Sequence, residues 1–338
     1  MIRKLAALVV LAGLAVAGWT AWDLYRPYRG FSGAEKLEIA PGMGTLAIAD
    51  LLVERGVLAH RGPFLMRAWA GHYRRRLKAG EYLFDHPLRP IDVYRMLVAG
   101  DVYLYAVVVP EGSDRFDIAR ILADRLGIAP TDFLRATEQT ALIHDLDPQA
   151  PSLEGYLFPD TYRYPRHVTP AAVVLTMVGR FRHVLQAHLR EGLSDAAGDL
   201  HTVVTLASLV EKETPDPAER PEVAGVFERR LKLHMLLQCD PTVIYAARLA
   251  ERRIGTIRGS DLRFDSLFNT YVHGGLPPGP IASPGEASLR AAFHPADGDA
   301  LYFVSNNHGS HVFAKSLEEH EHNVAVSRRQ RRKERKSK

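Results

Sequence analysis

The sequence contains a single cysteine, Cys239, among 338 residues, so an intrachain disulfide bond is excluded. One thiol is compatible both with a reducing compartment and with an exported protein that folds without disulfides. The rest of the composition is ordinary for a globular protein, with 46% hydrophobic and 24% charged residues. A chain of this length is long enough for two or three domains with their own cores.

Signatures of metal and phosphate sites are also missing. The chain has no HExxH sequence, and although His311 and the HEH run at 320–322 invite a metal interpretation, histidines two positions apart do not share a helical face. GGLPPG (274–279) is rich in glycine, but its prolines remove N–H groups that a phosphate loop requires. We therefore expect neither a metal nor a cofactor.

Positive charge is concentrated at the C-terminus. The segment SRRQRRKERKSK carries a net charge of +7, and removing it from the +4 of the whole chain leaves −3 for the rest. A slightly acidic body has no general polyanion-binding signature, so we expect no nucleic-acid partner. Residues 328–338 are predicted to form a basic, disordered tail, with weak contact to anionic lipid or wall polymer as the alternative.

One long apolar run stands at the N-terminus. After the basic start MIRK, Leu5–Trp22 has 18 residues without a charge, and as a helix it spans roughly 27 Å, enough for a bilayer core. Trp19, Trp22 and Tyr25 cluster at its far end, as interfacial aromatic residues do. We predict an uncleaved transmembrane anchor at 1–22, with a cleaved signal peptide as the competing interpretation because AVA resembles a cleavage site. In both cases the rest of the chain is exported.

The remaining patterns predict a mixed α+β fold. A polar linker at 23–34 leads into a small α/β subdomain at 35–104, which is followed by a larger mixed α+β domain at 105–327. The pattern around Gly42, IAPGMGTLAIADLLVERG, recurs around Gly112 as VVPEGSDRFDIARILADRLG. Two copies indicate a duplicated strand–turn–helix element rather than a solenoid.

Two glutamates end an otherwise apolar helical pattern in SLVEKETPDP. Positions two apart on a helix point about 200° away from each other, so only one of Glu211 and Glu213 can face a given cleft. Small residues lie one turn before Glu211, and Val204 on the same face would exclude water and raise the pKa of its carboxyl, as a general acid needs. Glu213 is expected to cap or pair locally. An ion-paired or surface Glu211 remains the alternative.

The next segment, DPAERPEV, carries the signals of a helix start. Asp216 with Glu219 three positions later forms a capping-box pattern, and Pro217 stands at the first helical position. We therefore expect a helix that begins near Asp216, with the Glu219 side chain turned back toward its N-terminus.

Six motifs resemble the YceG-like family of membrane-anchored endolytic murein transglycosylases. In chain order they are LEGYLFPDTY, ASLVEKET, LLQCDPTVIY, FNTY, GLPPGPIASPG and LYFVSNNHGSHVF…EHNVAV, and the resemblance covers residues 35–327. It implies an N-terminal anchor, a LysM-like subdomain at 35–104, a YceG-like catalytic domain at 105–327 in the periplasm, and cleavage inside peptidoglycan glycan strands. The protein is thus expected to be a single-pass inner-membrane protein whose partners are glycan strands, the inner membrane and, as a candidate, peptidoglycan synthases.

The catalytic glutamate of the family falls in the VEKE segment, and the resemblance together with the facing argument assigns it to Glu211. Ordinary glycosidases need two carboxylates, whereas this chain offers one good acid candidate. That fits a lytic transglycosylase, in which Glu211 first protonates the glycosidic oxygen. Its carboxylate then takes the proton of the muramic acid C6 hydroxyl, which closes a 1,6-anhydro ring.

Further residues in these motifs are expected to contact the glycan: Glu154, Tyr156, Gln238, Asp240, Asn269 and Tyr271. All but Gln238 have a structural alternative. Asp240 precedes a proline and fits a helix N-cap, Asn269 fits a turn, and Tyr271 fits a core aromatic. Glu154 and Tyr156 fit packing under a loop.

Two rival functions remain. The first is a non-catalytic, LysM-like peptidoglycan-binding membrane protein. The second is a lyase of folate metabolism, which would need a lysine bound to pyridoxal phosphate; Lys212 has no supporting phosphate site in the sequence.

Overall fold

The computed structural model describes residues 2–70, 77–189, 199–252 and 254–337, the last five by backbone alone. The gaps at 71–76, 190–198 and 253 fall inside the two predicted domains and lie outside the described residues. Within the described ranges the fold is mixed α+β, as predicted, with twelve α-helices and three two-stranded sheets. The chain divides into two compact units, one of Met1–Ala106 with Arg163–Val168 and one of Val107–Tyr162 with Thr169–Lys338.

The first unit begins with helix α1 (Ile2–Tyr25). Among the described residues, α1 is the one helix that is long and apolar enough to cross a membrane. It continues three residues past the predicted anchor into the predicted linker. It ends shortly before Pro27 because a proline disfavours helical geometry in the residue before it. Nearly all of α1 is exposed, and its two buried residues, Thr20 and Asp23, lie in the last two turns.

The rest of the first unit surrounds one apolar core. Strands β1 (Glu35–Ile39) and β2 (Gly80–Phe84) pair antiparallel, with Glu35 opposite Phe84. The helices are α2 (Thr45–Glu54), α3 (Arg61–Ala70) and α4 (Pro90–Ala99). Buried side chains from both strands and all three helices form the core, including Leu37, Ile39, Ile48, Leu52, Phe64, Tyr82, Phe84 and Leu97. Strands β3 (Leu104–Val108) and β4 (Thr161–Pro165) form a second sheet.

The second unit is built around helix α8. Its helices are α5 (Arg115–Leu126), α6 (Pro130–Ala136), α7 (Pro170–His188), α8 (Leu200–Glu213), α9 (Arg220–Lys232), α10 (Asp240–Leu249), α11 (Glu286–Phe293) and α12 (Leu317–Ser337). Strands β5 (Tyr302–Ser305) and β6 (His311–Ala314) pair antiparallel. Helix α8 contacts α9, α10 and α11, and residues 203–210 are all buried, so its final turn is fixed in the middle of the unit.

Two boundaries differ from the sequence predictions. Helix α9 begins at Arg220 rather than near Asp216, because the Asp216 carboxylate accepts a hydrogen bond from Ala218 N at 2.9 Å and closes a separate turn. Helix α12 continues through residues 328–337, where the sequence predicts a disordered tail. Arg, Lys, Gln and Glu are good helix formers, and the segment contains neither glycine nor proline to end the helix.

Candidate active site

Glu211 lies in a buried ion pair near the end of α8. Its side chain is 5% exposed, and Oε1 accepts a hydrogen bond from Arg220 Nη2 at 3.0 Å. Oε2 accepts one from the backbone N–H of Gly285 at 2.9 Å. Arg220 is equally buried and lies 3.5 Å from Glu111 Oε2. Both carboxylate oxygens of Glu211 are therefore occupied, which corresponds to the ion-paired alternative of the sequence analysis.

Two loops, one around Ile281 and one around Gly112, are hydrogen-bonded to α8 near Glu211. Ser208 Oγ, one turn earlier, accepts a hydrogen bond from Ile281 N at 3.0 Å. Lys212 Nζ donates to Gly112 O at 2.9 Å. The small residues before Glu211 therefore accommodate the protein's own loop around Ile281 and Gly285.

Glu213 lies in a different environment, a polar cleft of about 320 Å³. The cleft is lined by Glu213, Arg230, Leu237, Gln238, Asp240, Tyr271, Phe303, Val304, Ser305, His311 and His320. The side chains come from the end of α8, from α9, from the start of α10, from β5 and β6, and from α12. Leu237 and Gln238 lie in the loop before α10, and Tyr271 lies in the loop after it. Glu213 is partly buried, and among the described residues no ion pair to it is found. The local capping role expected for it is not what the structure contains.

The surroundings of Glu213 favour its protonated form. Burial raises the pKa of the Glu213 carboxyl above its usual value. A hydrogen bond with the Cys239 thiol acts in the opposite direction, the nearby Asp240 raises the pKa further, and His311 and Arg230 lower it, with a net increase. A carboxyl that keeps its proton at higher pH than usual, beside an open cleft, has the property that a general acid requires.

Asp240 and Tyr271 form a pair in the same cleft. The Tyr271 hydroxyl donates to Asp240 Oδ1 at 2.6 Å, and burial followed by this bond raises the pKa of the Tyr271 hydroxyl. Asp240 is the first residue of α10, and the N-cap residue Cys239 makes no side-chain capping bond. Asp240 is therefore directed to the cleft rather than to the helix end. Gln238, which also lines the cleft, has a positive φ of 51°, an uncommon conformation for a residue other than glycine.

His311 and Arg230 are among the cleft residues that were not identified as site residues from the sequence. His311 Nδ1 lies 2.8 Å from Glu219 Oε2, and its backbone N–H donates to Glu219 Oε1 at 2.7 Å. Arg230 is buried and donates to the backbone carbonyls of Leu301 at 2.7 Å and Leu237 at 2.8 Å. Glu219 thus holds a histidine at the cleft instead of closing a capping box. Glu219 and His311 are 92 positions apart, so no local spacing pattern predicts their contact.

Three predicted substrate-binding residues are not among the cleft's lining residues. Glu154 is almost completely buried, and its Oε2 accepts hydrogen bonds from Arg115 N and the Tyr245 hydroxyl, both at 3.0 Å. Burial raises the pKa of the Glu154 carboxyl to about 8. The buried Tyr156 donates its hydroxyl to Asp147.

Asn269, the third of these residues, has no exposed surface. Its Nδ2 donates to the carbonyls of Leu262 at 3.1 Å and Phe264 at 2.7 Å, and its Oδ1 accepts from Tyr271 N at 3.0 Å. Asn269 therefore fixes the loop that presents Tyr271, and the turn alternative describes its contacts. No group of three or more His, Cys, Asp or Glu side chains suited to a metal is found among the described residues.

This arrangement defines a mixed α+β domain with a partly buried carboxyl, that of Glu213, in a polar cleft. Comparison with known proteins identifies the family to which the domain belongs. The model of the YceG-like family matches residues 37–326. The chain is 31% identical over 302 residues to the endolytic murein transglycosylase of Bacillus subtilis (strain 168), covering 84% of this chain and 82% of that protein. This chain belongs to the YceG-like family.

Two further comparisons agree with this membership. An endolytic murein transglycosylase of Streptococcus pneumoniae (strain D39) is 27% identical over 316 residues, which cover 85% of this chain and 57% of that protein. The crystal structure of a YceG-like protein from Listeria monocytogenes matches with a TM-score of 0.58 at 29% identity, covering 85% of this chain and 98% of that one.

Proposed function

We propose that this protein is an endolytic lytic transglycosylase, a carbon–oxygen lyase that cleaves the MurNAc–GlcNAc glycosidic bond within nascent peptidoglycan strands. The relatives in Bacillus subtilis and Streptococcus pneumoniae, named endolytic murein transglycosylases, support the substrate class. The observation that carries the chemistry is the Glu213 carboxyl, which burial keeps protonated to higher pH than usual in an open cleft.

In this proposal Glu213, rather than Glu211, is the general acid. The protonated Glu213 gives its proton to the glycosidic oxygen, the bond from that oxygen to MurNAc C1 breaks, and the bonding electron pair leaves with the GlcNAc oxygen. Glu213 is then a carboxylate. It removes the proton of the MurNAc C6 hydroxyl while that oxygen bonds to C1 and closes the 1,6-anhydro ring. The acid is regenerated and no water is consumed.

Three neighbours in the cleft have supporting roles. Asp240, which accepts a hydrogen bond from the Tyr271 hydroxyl, provides negative charge beside the positive charge that develops at C1. Gln238 has an amide suited to the acetamido groups of the glycan. His311, held by Glu219 through Nδ1, has its other ring nitrogen available for a sugar hydroxyl.

The chemical class of the product tests this proposal. Asp240 is a second carboxylate in the cleft, and a hydrolase that used it to activate water would leave reducing MurNAc ends. The lytic mechanism adds no water, so its new ends are about 18 Da lighter than hydrolysed ends. Digestion of purified glycan strands followed by mass spectrometry should give 1,6-anhydro ends from cuts within strands. Fragments with reducing ends alone would make the protein a hydrolase, and undigested strands would favour the non-catalytic peptidoglycan-binding alternative.

The proposed location follows from helix α1. A 24-residue apolar helix that is exposed along nearly its whole length fits a lipid environment. With the basic MIRK start on the cytoplasmic side, the chain after α1 lies in the periplasm, where glycan strands are made. In this proposal α1 is an uncleaved anchor in the inner membrane, and peptidoglycan synthases are candidate partners.

A further inference from the structure

The end of helix α1 is joined to the rest of the first unit by specific side chains. Thr20 Oγ1 lies 3.9 Å from Met66 Sδ on helix α3. Asp23 Oδ1 lies 3.1 Å from Nδ1 of His60, the residue before α3. The Trp19 and His60 rings meet edge to face at 5.3 Å. Helix α1 also contacts α4, so its last two turns have a defined position against this unit.

The contact between Thr20 and Met66 fixes the position of helix α3 along the membrane normal, relative to the apolar run Leu5–Trp22. Thr20 lies inside the run Leu5–Trp22, about 3 Å along the helix axis from Trp22 at 1.5 Å per residue. Trp19 and Trp22 are both exposed, and at the end of a membrane-spanning helix such residues lie at the headgroup level. Because Met66 contacts Thr20, its side chain lies at the same level, at the boundary between acyl chains and headgroups.

Helix α3 has an exposed apolar face at this level. Met66 is 50% exposed and Trp69 is 53% exposed, and residues three apart lie on the same side of a helix. Phe64 and Ala68, on the other side of the helix, are buried in the core of the unit, as is Leu65, one turn before Trp69. Arg61, at the start of the helix, is exposed and forms an ion pair with Asp50 at 2.7 Å. Large apolar side chains on the exposed face of a helix are typical of helices that lie in a membrane interface.

We infer that helix α3 lies on the outer surface of the lipid bilayer, with Met66 and Trp69 inserted at the headgroup–acyl boundary. The inference rests on the proposed role of α1 as an uncleaved anchor. The partner is the lipid surface itself, because Met66 contacts Thr20 and so adjoins the apolar run of α1. The first unit is then held against the membrane at two points, rather than attached through a free linker.

The three tryptophans of the chain, Trp19, Trp22 and Trp69, make a direct test possible. The full-length variant with Trp19→Phe and Trp22→Phe retains Trp69 as its sole tryptophan reporter. In phosphatidylcholine vesicles we expect its emission to be shifted to the blue and to be quenched by brominated phosphatidylcholine. Quenching should be stronger with bromine near the headgroup than near the chain end. A second reporter, Met66→Trp with all three native tryptophans changed to Phe, should respond in the same way.

The matched variant Trp69→Phe separates this inference from the anchor on which it rests. Its remaining reporters, Trp19 and Trp22, should also be quenched by brominated lipid. If they are quenched while Trp69 and the residue 66 reporter respond only to aqueous iodide, helix α3 lies in water and the inference is overturned although the anchor stands. If none of the reporters is quenched by lipid, the anchor itself fails.

Discussion

Glu211 and Glu213 stand two positions apart at the end of the same helix, and their surroundings are opposite. Glu211 has both oxygens occupied, one by Arg220 and one by a backbone N–H. Glu213 faces an open cleft, and burial beside Asp240 favours its neutral form. Burial alone therefore does not make a glutamate an acid catalyst. The partner that compensates its charge decides whether it serves structure or proton transfer.

The largest effect on stability is expected from breaking the Glu211–Arg220 pair. Glu211→Gln leaves the buried Arg220 with the exposed Glu111, 3.5 Å away, as its remaining carboxylate partner, and removing one partner of a buried pair costs about 3–5 kcal/mol. Thermal unfolding should show a lower Tm, whereas Glu222→Gln, at an exposed position of α9, should leave Tm unchanged. A Tm of Glu211→Gln equal to that of the control would contradict the structural role assigned to this residue.

Glu154 adds a third case to the comparison of Glu211 with Glu213, because its carboxyl has a raised pKa but does not line the cleft. With a pKa of about 8 in the folded state and an ordinary value near 4.5 when unfolded, the folded state holds one more proton between these pH values. The free energy of unfolding should therefore fall as pH rises from about 4.5 to about 8, by a few kcal/mol at most.

Urea unfolding of Glu154→Gln at pH 5 and pH 8.5 tests this sign. The neutral glutamine has no proton to lose, so the variant should gain stability relative to the native protein at the higher pH. Its turnover should stay near the native level. An identical pH dependence in both proteins would mean that Glu154 is ionised in the folded state.

Glu219→Gln is expected to lower turnover, but by less than a substitution of Glu213 itself. Glutamine keeps the size of the side chain but loses the charge that orients His311, and a hydrogen bond to a charged group contributes about 1.5–3 kcal/mol. We expect turnover on glycan strands to fall by about tenfold, with KM changed less than kcat. Glu222→Gln on the same helix is again the control. Native turnover in Glu219→Gln would remove His311 from the proposed site.

A feature of this protein can be predicted from the sequence when the residues that determine it are close together in the chain. The strands and helices of residues 35–104 follow from local periodicity, and helix α1 follows from one apolar run. The motif LLQCDPTVIY and the FNTY motif contain Gln238, Asp240 and Tyr271, which line the cleft with Glu213. Their roles toward the substrate stay predictions.

The orientation of the VEKE segment could not be derived from spacing. Helical geometry correctly separates Glu211 and Glu213 onto different sides, but it does not say which side meets the cleft. Ser208 and Glu211 bind the loop around Ile281 and Gly285, more than 70 positions away, and no local pattern reports such a contact. The Glu219–His311 contact was missed for the same reason.

The most direct test compares the two glutamates in one assay. Glu213→Gln and Glu211→Gln are measured on purified glycan strands, with turnover divided by the folded fraction of each variant. Glu213→Gln should fold normally and lose at least about 100-fold in turnover, the scale of lost general-acid catalysis. Glu211→Gln should be less stable but retain most turnover per folded molecule. A folded Glu211→Gln without turnover, beside an active Glu213→Gln, would contradict the assignment and return the acid to Glu211.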